Sequence, residues 1–566
     1  MPRATRLKVV LCWHMHQPEY RDLISGESRL PWTYLHAIKD YSDMAAHLES
    51  VPGAVAVVNF SPVLLLQLDD YASQVAAHRT HGTPLRDALL ATLAPAGIPD
   101  DLAARERFMR ACLRVNRERI VERFAPFNEL AKLAAGFLEP GAVRYAARDF
   151  LVDLAVWYHL GWLGESVRLG DARVAALVAK ARHFDAADQR LLLEVIGELL
   201  QGIVPRYRAL AAAGKVELSV TPYGHPIMPL MLDFQAARDA EPDCVLPDET
   251  GYPGAQARVR WHLAAAVELF EQTFGARPQG CWPSEGAVSD AALAHIEAAG
   301  FQWAASGEQV LRNSLTRHQL WQGEQQVASL HRPYRLSGRG LKVFFRHDAL
   351  SDLIGFSYSK WHGDDAAANL TTHLEHLADV FKGQPERVVA IVLDGENAWE
   401  YYPSNGYFFL PALYERLAAS ARLELTTFAR CVDSMQAAEL PSLVAGSWVY
   451  GTFSTWIGEA GKNRAWEMLC AAKRTFDRVS NAGTLHADEM RAVERQLAVC
   501  EGSDWCWWFG EMNSAEQVST FDELYRRHLT NLYSLLKQAP PAYLAQAFAH
   551  GSGTPELGGA MRRAQE

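Results

Sequence analysis

Short apolar runs alternate along this chain with longer stretches in which apolar residues recur every three or four positions. The short runs have the length of β-strands, and the longer stretches have the spacing of amphipathic helices. Runs of the strand type occur at residues 7–13, 54–60, 216–220, 280–282, 303–305, 341–345 and 388–393. Near-continuous apolar strands that alternate with helices are typical of a parallel sheet covered on both faces. The pattern therefore predicts an α/β fold, and the number of strands favours an incomplete (β/α)7 barrel.

Two parts of the chain lack this alternation. Residues 84–214 carry long amphipathic stretches, which predict a helical insertion between strands. Beyond about residue 430 the strand signals stop, and residues 464–483, 487–501 and 521–538 have helical spacing. We therefore expect a barrel over residues 1–430 that includes the insertion, a helical C-terminal domain over residues 431–548 that contributes to the cleft, and a flexible tail over residues 549–566.

Composition narrows the possible classes of function. The 566 residues are 49% hydrophobic and 21% charged, and the net charge of −11 comes without a cluster of Lys and Arg, so nucleic acid is not an expected partner. No run reaches the ~20 apolar residues that span a bilayer, so we expect no membrane insertion. The eight cysteines are scattered without a C-x-x-C pair, which indicates reduced thiols and a cytoplasmic location. The oligomeric state stays open.

Carboxyl groups follow two of the predicted strands. Glu285 comes shortly after the strand at 280–282, and Asp394 comes directly after the strand at 388–393. In parallel α/β folds the functional residues lie just past the carboxyl ends of strands, so both groups are expected at one cleft. Two carboxyl groups in one cleft are what glycoside hydrolysis requires. Glu396 lies two residues after Asp394 and shares its side of an extended chain, so either could be the acid. The alternative is that these acids are turn or capping residues.

The same loops carry residue types that suit a sugar ligand. The chain has 16 tryptophans, and flat aromatic faces stack on the C–H faces of sugar rings, although many of these indoles are expected in the core. Arg346 is a candidate to pair with a carboxylate or to hold a hydroxyl group. The candidate substrate-binding residues are His14, His16, His225, Trp282, Arg346, Asp352, Glu396, Trp399 and Trp456.

His14 and His16 leave a second class of function open. Alternate residues of a strand share a face, and imidazole binds zinc readily, so the pair fits a metal-dependent carbohydrate deacetylase. No two of the 20 histidines, however, have the i, i+4 spacing of many helical zinc sites. We therefore expect neutral histidines that hydrogen bond to sugar hydroxyl groups, with no metal and no cofactor.

Taken together, the loops resemble those of glycoside hydrolase family 57 from the first strand to about residue 540. Residues 14–18 (His-Met-His-Gln-Pro) resemble the first conserved region of that family, and residues 223–227 (Tyr-Gly-His-Pro-Ile) resemble the second. Residues 280–286 resemble the third region, which holds the nucleophile, and residues 393–400 resemble the fourth, whose first acid is the proton donor. The resemblance implies that Glu285 is the nucleophile and Asp394 the acid. The fifth region is expected near residues 455–459.

The resemblance also implies an incomplete seven-stranded barrel, a helical C-terminal domain, retention of anomeric configuration and no catalytic metal. The expected substrates are α-glucans such as starch, glycogen or maltodextrin. The Trp-Pro-Ser-Glu-Gly form of the third region resembles the amylase-like group. The alternatives are a 4-α-glucanotransferase or an α-1,4-glucan branching enzyme that uses the same covalent intermediate, or a carbohydrate-binding protein without turnover.

Overall fold

Ten strands form one sheet in the computed structural model, which describes residues 6–321, 325–384, 386–554 and 560–561. The strands are β1 (Leu7–Met15), β2 (Ala56–Phe60), β3 (Val216–Val220), β4 (Gly280–Cys281), β5 (Trp303–Ser306), β6 (Tyr334–Leu336), β7 (Lys342–Phe345), β8 (Val388–Asp394), β9 (Leu423–Thr426) and β10 (Ala438–Leu440). Their order is β10-β6-β7-β5-β4-β3-β2-β1-β8, and β9 pairs with the first half of β1.

Seven parallel strands of this sheet curl into the predicted barrel. β1, β2, β3, β4, β5 and β7 follow one another in parallel pairs, and β8 lies on the other side of β1. The two ends of the series meet at a single parallel bridge between Arg346, just after β7, and Ala390 of β8. Because one bridge rather than a full ladder joins them, the barrel is nearly open there. The (β/α)7 prediction is confirmed.

The alternation of side chains along the strands places two polar groups at the end of the barrel interior. Val10 and Cys12 of β1 pack in one buried cluster with Ala390 and Val392 of β8. His14 continues the β1 row and Asp394 continues the β8 row, because every second residue points to the same side. The two residues are direct partners in the register of the pair.

Three strands were not predicted. β6 pairs antiparallel with β7, β10 pairs with β6, and β9 pairs with β1. The expectation that strands end near residue 430 is therefore wrong, since β10 lies at Ala438–Leu440. β6 and β10 have three residues each with an exposed middle residue, which is too short for a period of two to stand out.

Helices fill the remaining layers around the barrel. Several begin with side-chain caps, such as the Ser514 capping box that starts the helix Ala515–Leu535. Before β3 the α-helices are Trp32–His36, Ser42–Ser50, Pro62–His81, Leu102–Leu113, Ala125–Phe137, Arg148–Trp162, Glu165–Gly170, Ala172–Lys180 and Ala186–Ala212. Between β3 and β8 they are Met228–Leu232, Ala255–Phe274, Asp290–Ala298, Glu308–Arg317, Gln325–Leu330, Asp348–Asp352 and Gly363–Val380. After β8 they are Phe409–Ala419, Phe428–Ser434, Ala460–Asn481, Ala487–Cys500, Asp504–Trp508 and Ala515–Leu535.

A buried ionic cluster fastens the C-terminal helices to the barrel. Glu501 accepts hydrogen bonds from Arg258 Nη2 at 2.7 Å, from His262 Nε2 at 2.8 Å and from the Tyr252 hydroxyl group. Burial alone would raise the pKa of Glu501, but the Arg258 and His262 charges hold it at about 2. The next residues along the chain, Ser503 and Asp504, are thereby placed beside the carboxyl ends of the strands.

The segment after residue 548 was expected to be a flexible tail. Its first part packs on the protein: the amide of Ala549 donates to Asp522, and the amide of Gly553 donates to the Asn513 carbonyl oxygen at 3.0 Å. Residues 555–559 and 562–566, on which the prediction also falls, lie outside the described residues.

Two further findings concern the cysteines and the character of the helices. All eight cysteines are buried and unpaired. Within the described ranges, no helix combines the length and the apolar character that crossing a bilayer requires.

Candidate active site

A cavity of about 450 Å³ opens at the carboxyl ends of the barrel strands. Its wall combines acids, amides and aromatic rings, which is the composition of a site for a polar ligand with apolar faces. Both predicted catalytic acids, Glu285 and Asp394, reach it. The residues that line it include His14, His16, Gln17, Tyr20, Trp32, Trp162, Glu285, Asp394, Glu396, Asp504, Trp507 and Trp508.

Glu285 is held in a strained turn directly after β4. Its backbone has φ 57° and ψ 27°, a left-handed conformation that is unfavourable for a side chain with a Cβ. The Trp448 indole Nε1 donates a hydrogen bond to Glu285 Oε2 at 2.9 Å, and the Trp448 amide donates to the Glu285 carbonyl oxygen at 3.1 Å. Backbone strain of this kind is concentrated at functional sites, where the surroundings hold it in place. The turn aims the carboxylate into the cavity.

Asp394 ends β8 and lines the same cavity. Burial raises the pKa of this carboxyl group to about 6, while a hydrogen bond from Asn397 Nδ2 at 2.9 Å opposes the shift. A carboxyl group with such a pKa is protonated in mildly acidic solution, as a proton donor must be.

Glu396 is a second, more deeply buried acid beside Asp394. Its Oε1 accepts hydrogen bonds from Gln17 Nε2 at 3.1 Å and from the His16 amide at 3.4 Å. Its Oε2 is buried and has no hydrogen-bond partner among the described residues. Burial, together with the charge of Asp394, raises the pKa of Glu396 well above its usual value. Glu396 is therefore an acid on the cavity wall whose surroundings favour its neutral form.

Three predicted histidines form a stack beside the cavity, whose wall includes His14 and His16 but not His225. The His16 ring lies parallel to the His225 ring with centroids 3.8 Å apart, and His14 lies 5.3 Å from His225. Burial lowers the pKa of His14 to about 3 and that of His225 well below its usual value, so both rings are neutral. His225 itself also has a left-handed backbone conformation, with φ 58°.

Hydrogen bonds fix the tautomers in this stack. Asn59 Nδ2 donates to Ser219, so Asn59 Oδ1 faces His14 Nδ1 at 2.7 Å and accepts its proton. His14 Nε2 must then accept from His225 Nε2, which lies 3.2 Å away. His225 Nδ1 in turn accepts from the Ser503 hydroxyl group at 2.8 Å. The ring nitrogens of His14 and His225 are thus all used within the protein.

His16 is bonded on both sides as well. Its Nδ1 lies 2.7 Å from the Ser61 hydroxyl oxygen, and its Nε2 lies 2.8 Å from Asp504 Oδ1. Direct hydrogen bonds from the three histidines to sugar, which the sequence suggested, would need these partners to be displaced. Asp504 was not predicted; its signal in the sequence is only an acid in the run Ser-Asp-Trp at 503–505.

The stack also bears on the metal alternative. One nitrogen each of His14, His16 and His225 lies within 4.8 Å of the others, which is near enough for a shared ion. The lone pairs of imidazole lie in the ring plane, however, and the His16 and His225 rings are parallel planes separated by only 12° of tilt. Parallel rings stacked face to face cannot both direct lone pairs at one ion. The geometry therefore favours a hydrogen-bonded stack over a metal centre.

Arg346 and Asp352 lie behind the acids rather than on the cavity wall. Arg346 donates to Asp348 Oδ1 at 2.6 Å, to Asp352 Oδ1 at 2.7 Å and to the Val392 carbonyl oxygen. Its guanidinium group lies 5.6 Å from the ring centroid of Trp448. Neither residue lines the described cavity, and their expected contact with substrate stays a prediction. Arg346, held by Asp348 and Asp352, packs on Trp448, which donates to Glu285.

The three predicted tryptophans are packing residues. Trp282 is fully buried and contacts the Trp448 ring edge-on at 5.2 Å. Trp399 donates its Nε1 proton to the Gly395 carbonyl oxygen at 2.9 Å and packs on Trp13, and Trp456 is buried against Trp507. None of the three lines the described cavity, and their expected role in substrate binding stays a prediction. The tryptophans on the wall are Trp32, Trp162, Trp507 and Trp508.

Comparison with known proteins identifies relatives of this arrangement. The family model described as Glycosyl hydrolase family 57 matches residues 10–443. A branching enzyme of that family from Thermococcus kodakaraensis, solved with glucose, superposes with a TM-score of 0.58 at 15% identity, over 94% of this chain and 90% of that one. A branching enzyme from Pyrococcus horikoshii gives 0.54 at 14% identity, over 97% and 99% of the two chains. An α-amylase from Thermotoga maritima gives 0.55 at 13% identity, over 94% and 93%. At these identities the likeness is one of fold.

Proposed function

This chain belongs to glycosyl hydrolase family 57, and on that premise we propose that it is a retaining enzyme of the α-amylase type that hydrolyses α-glucans such as starch, glycogen or maltodextrin. The observation that carries the proposal is the pair of acids on one cavity wall in unlike surroundings. Asp394 has its pKa raised to about 6 by burial, whereas Glu285 accepts a hydrogen bond from the Trp448 indole. Unlike surroundings of this kind support the role of acid for Asp394 and the role of nucleophile for Glu285.

The reaction proceeds in two displacements. Glu285 attacks the anomeric carbon and forms an ester bond while the glycosidic C–O bond breaks, and Asp394 gives its proton to the leaving oxygen. Asp394 then takes a proton from water as that water attacks the anomeric carbon, and the ester bond to Glu285 breaks. Two inversions give net retention, which requires carboxyl groups roughly 5–5.5 Å apart.

Product lengths test the proposal. Purified protein is incubated with maltoheptaose, with Glu285→Gln as the matched control, and products are separated by chromatography over time. Only shorter sugars, absent with the variant, are expected. Products longer than maltoheptaose would mean that the activity is glucanotransfer or branching through the same intermediate rather than hydrolysis. No products with any α-glucan, or products formed equally by Glu285→Gln, would refute the proposal.

Azide separates the roles of the two acids. With an activated aryl maltoside, Asp394→Ala still forms the ester because the leaving group needs no proton, and azide then releases it as the α-glycosyl azide. Glu285→Ala with azide gives the β-anomer instead, because only one displacement occurs. The opposite assignment of anomers would exchange the two roles.

The buried, unpaired cysteines support a reducing compartment, so a cytoplasmic location is part of the proposal.

A further inference from the structure

Three large aromatic side chains are exposed on the loops that follow β7 and β8. They are Trp361, with 46% of its surface exposed, Tyr401 with 52% and Phe408 with 59%. These loops leave the carboxyl ends of their strands, so they lie at the same end of the barrel as the cavity. Grouped apolar exposure of this kind marks binding surfaces on soluble proteins, whereas single exposed apolar residues are ordinary.

Trp361 and Phe408 are neighbours although they are distant in sequence. They precede the adjacent helices Gly363–Val380 and Phe409–Ala419. A Cβ atom at Gly363 would lie 2.8 Å from the Phe408 carbonyl carbon, so the two helix starts touch. The buried Tyr358 ring lies 5.4 Å from Trp361 and 5.9 Å from Phe409, and so supports both sides of the pair. The exposed rings rest on a rigid base.

Tyr401 connects this pair with the cavity. It lines the cavity wall and stands in the same loop as Phe408. The cavity, at about 450 Å³, falls within the size range of pockets that hold small molecules. A polymeric substrate must therefore continue outside it, and Tyr401 lies where the wall meets the exterior.

We propose that Trp361 and Phe408 form a second carbohydrate site, an exterior platform that binds the part of an α-glucan chain beyond the cavity, with Tyr401 between the two sites. Aromatic faces stack on the apolar faces of successive glucose rings, and the exposed His362 and Asp364 beside the platform offer partners for hydroxyl groups. The inference rests on the proposed function for the choice of an α-glucan over other polysaccharides.

Direct binding tests the platform without turnover. In native gels that contain glycogen, the Glu285→Gln protein should be retarded, and adding Trp361→Ala or Phe408→Ala should remove most of the retardation. Adding Trp361→Phe should restore it, because a ring is kept. Tyr145→Ala, which removes a side chain that is 74% exposed elsewhere, should migrate like its parent. The platform would be overturned if all variants migrated equally in glycogen. It would also be overturned if a soluble β-glucan retarded the Glu285→Gln protein as strongly as glycogen does.

Kinetics separate this inference from the proposed function. In the otherwise wild-type enzyme, Trp361→Ala and Phe408→Ala should each raise KM for glycogen about three- to tenfold, the loss expected for one aromatic contact. They should leave kcat and KM for an aryl maltoside within about twofold. Turnover of glycogen with unchanged KM in both variants would overturn the platform alone. Retardation by glycogen without turnover of any α-glucan would refute the hydrolase and leave the platform standing.

Discussion

Asn397 opposes the rise that burial causes in the pKa of Asp394, the proposed proton donor. Its Nδ2 donates to Asp394 Oδ2 at 2.9 Å, and this hydrogen bond favours the charged form of the carboxyl group. Without it, burial acts with less opposition and the pKa of Asp394 rises further above its present value of about 6. Asn397→Ala should therefore move the basic limb of the activity profile to higher pH.

The size of the shift follows from the strength of the bond. A hydrogen bond to a charged group contributes roughly 1.5–3 kcal/mol, and 1.36 kcal/mol corresponds to one pKa unit. Water that enters the open cavity replaces part of this bond, so we expect an increase of about one unit. At pH 8 the protonated fraction of Asp394 then rises roughly tenfold, from about 1% to about 9%.

The assay is kcat/KM on maltoheptaose between pH 4 and 9, because this ratio reports the ionisation of the free enzyme. Thr520→Ala is the control, since it shortens another side chain on the cavity wall whose hydroxyl group donates to the Glu516 carbonyl oxygen. A lower maximum for Asn397→Ala does not affect the test, because the position of the limb is measured separately from its height. A limb that stays in place or moves to lower pH would refute the assignment of Asp394 as the acid.

Substitutions at three further residues test other parts of the structure. Glu501→Gln should destabilise the fold by about 3–5 kcal/mol near pH 7, because it breaks a buried ion pair, with the surface variant Glu268→Gln as the control in chemical unfolding. Folding lowers the pKa of Glu501 to about 2, so its contribution to the free energy of unfolding is full above the unfolded pKa of about 4.3 and is lost as the pH falls from there towards 2. If the difference in free energy of unfolding between wild type and Glu501→Gln does not shrink over this pH range, the lowered pKa is contradicted. Glu396→Gln should change the free energy of unfolding by less than about 1 kcal/mol, since an amide keeps the acceptor for Gln17, whereas Glu396→Ala should cost about 2 kcal/mol; equal losses would show that Glu396 is charged. Glu285→Gly and Glu285→Ala should both abolish turnover and both lose the hydrogen bond from Trp448, but only glycine relieves the left-handed backbone. In the same unfolding assay Glu285→Gly should therefore be more stable than Glu285→Ala by up to about 1 kcal/mol, and a less stable glycine variant would mean that the turn is not strained.

The barrel was predictable because its strands are buried on both faces. Runs such as 388–393 leave an uninterrupted apolar signal that differs from the helical spacing around it. β9, at Leu423–Thr426, alternates apolar and polar residues over only four positions and pairs with half of β1. Such a strand is stabilised by the neighbour that it finds in the fold, so its own sequence carries little signal.

The candidate site was predictable where a residue follows a strand directly. Asp394 and Glu285 reach the cavity because the ends of their strands place them there. Whether Trp399 faces the core or the cavity depends on the side to which a loop turns, and residue type does not report this. The contact of Asp504 with His16 depends on how distant helices dock, for which local sequence holds no pattern. The domain boundaries and the roles of the individual site residues remain predictions.

The contact between His16 and Asp504 joins residues 488 positions apart, and its consequence concerns synthesis on the ribosome. Chains emerge N-terminus first at about 5–20 residues per second, so on the order of a minute separates the two residues. Glu285 and Asp394 emerge in between, before the helix that carries Asp504 exists. A nascent or truncated chain thus holds both acids but lacks one wall of the cavity. Glucan turnover would therefore report that translation is complete and that the C-terminal helices have docked on the barrel.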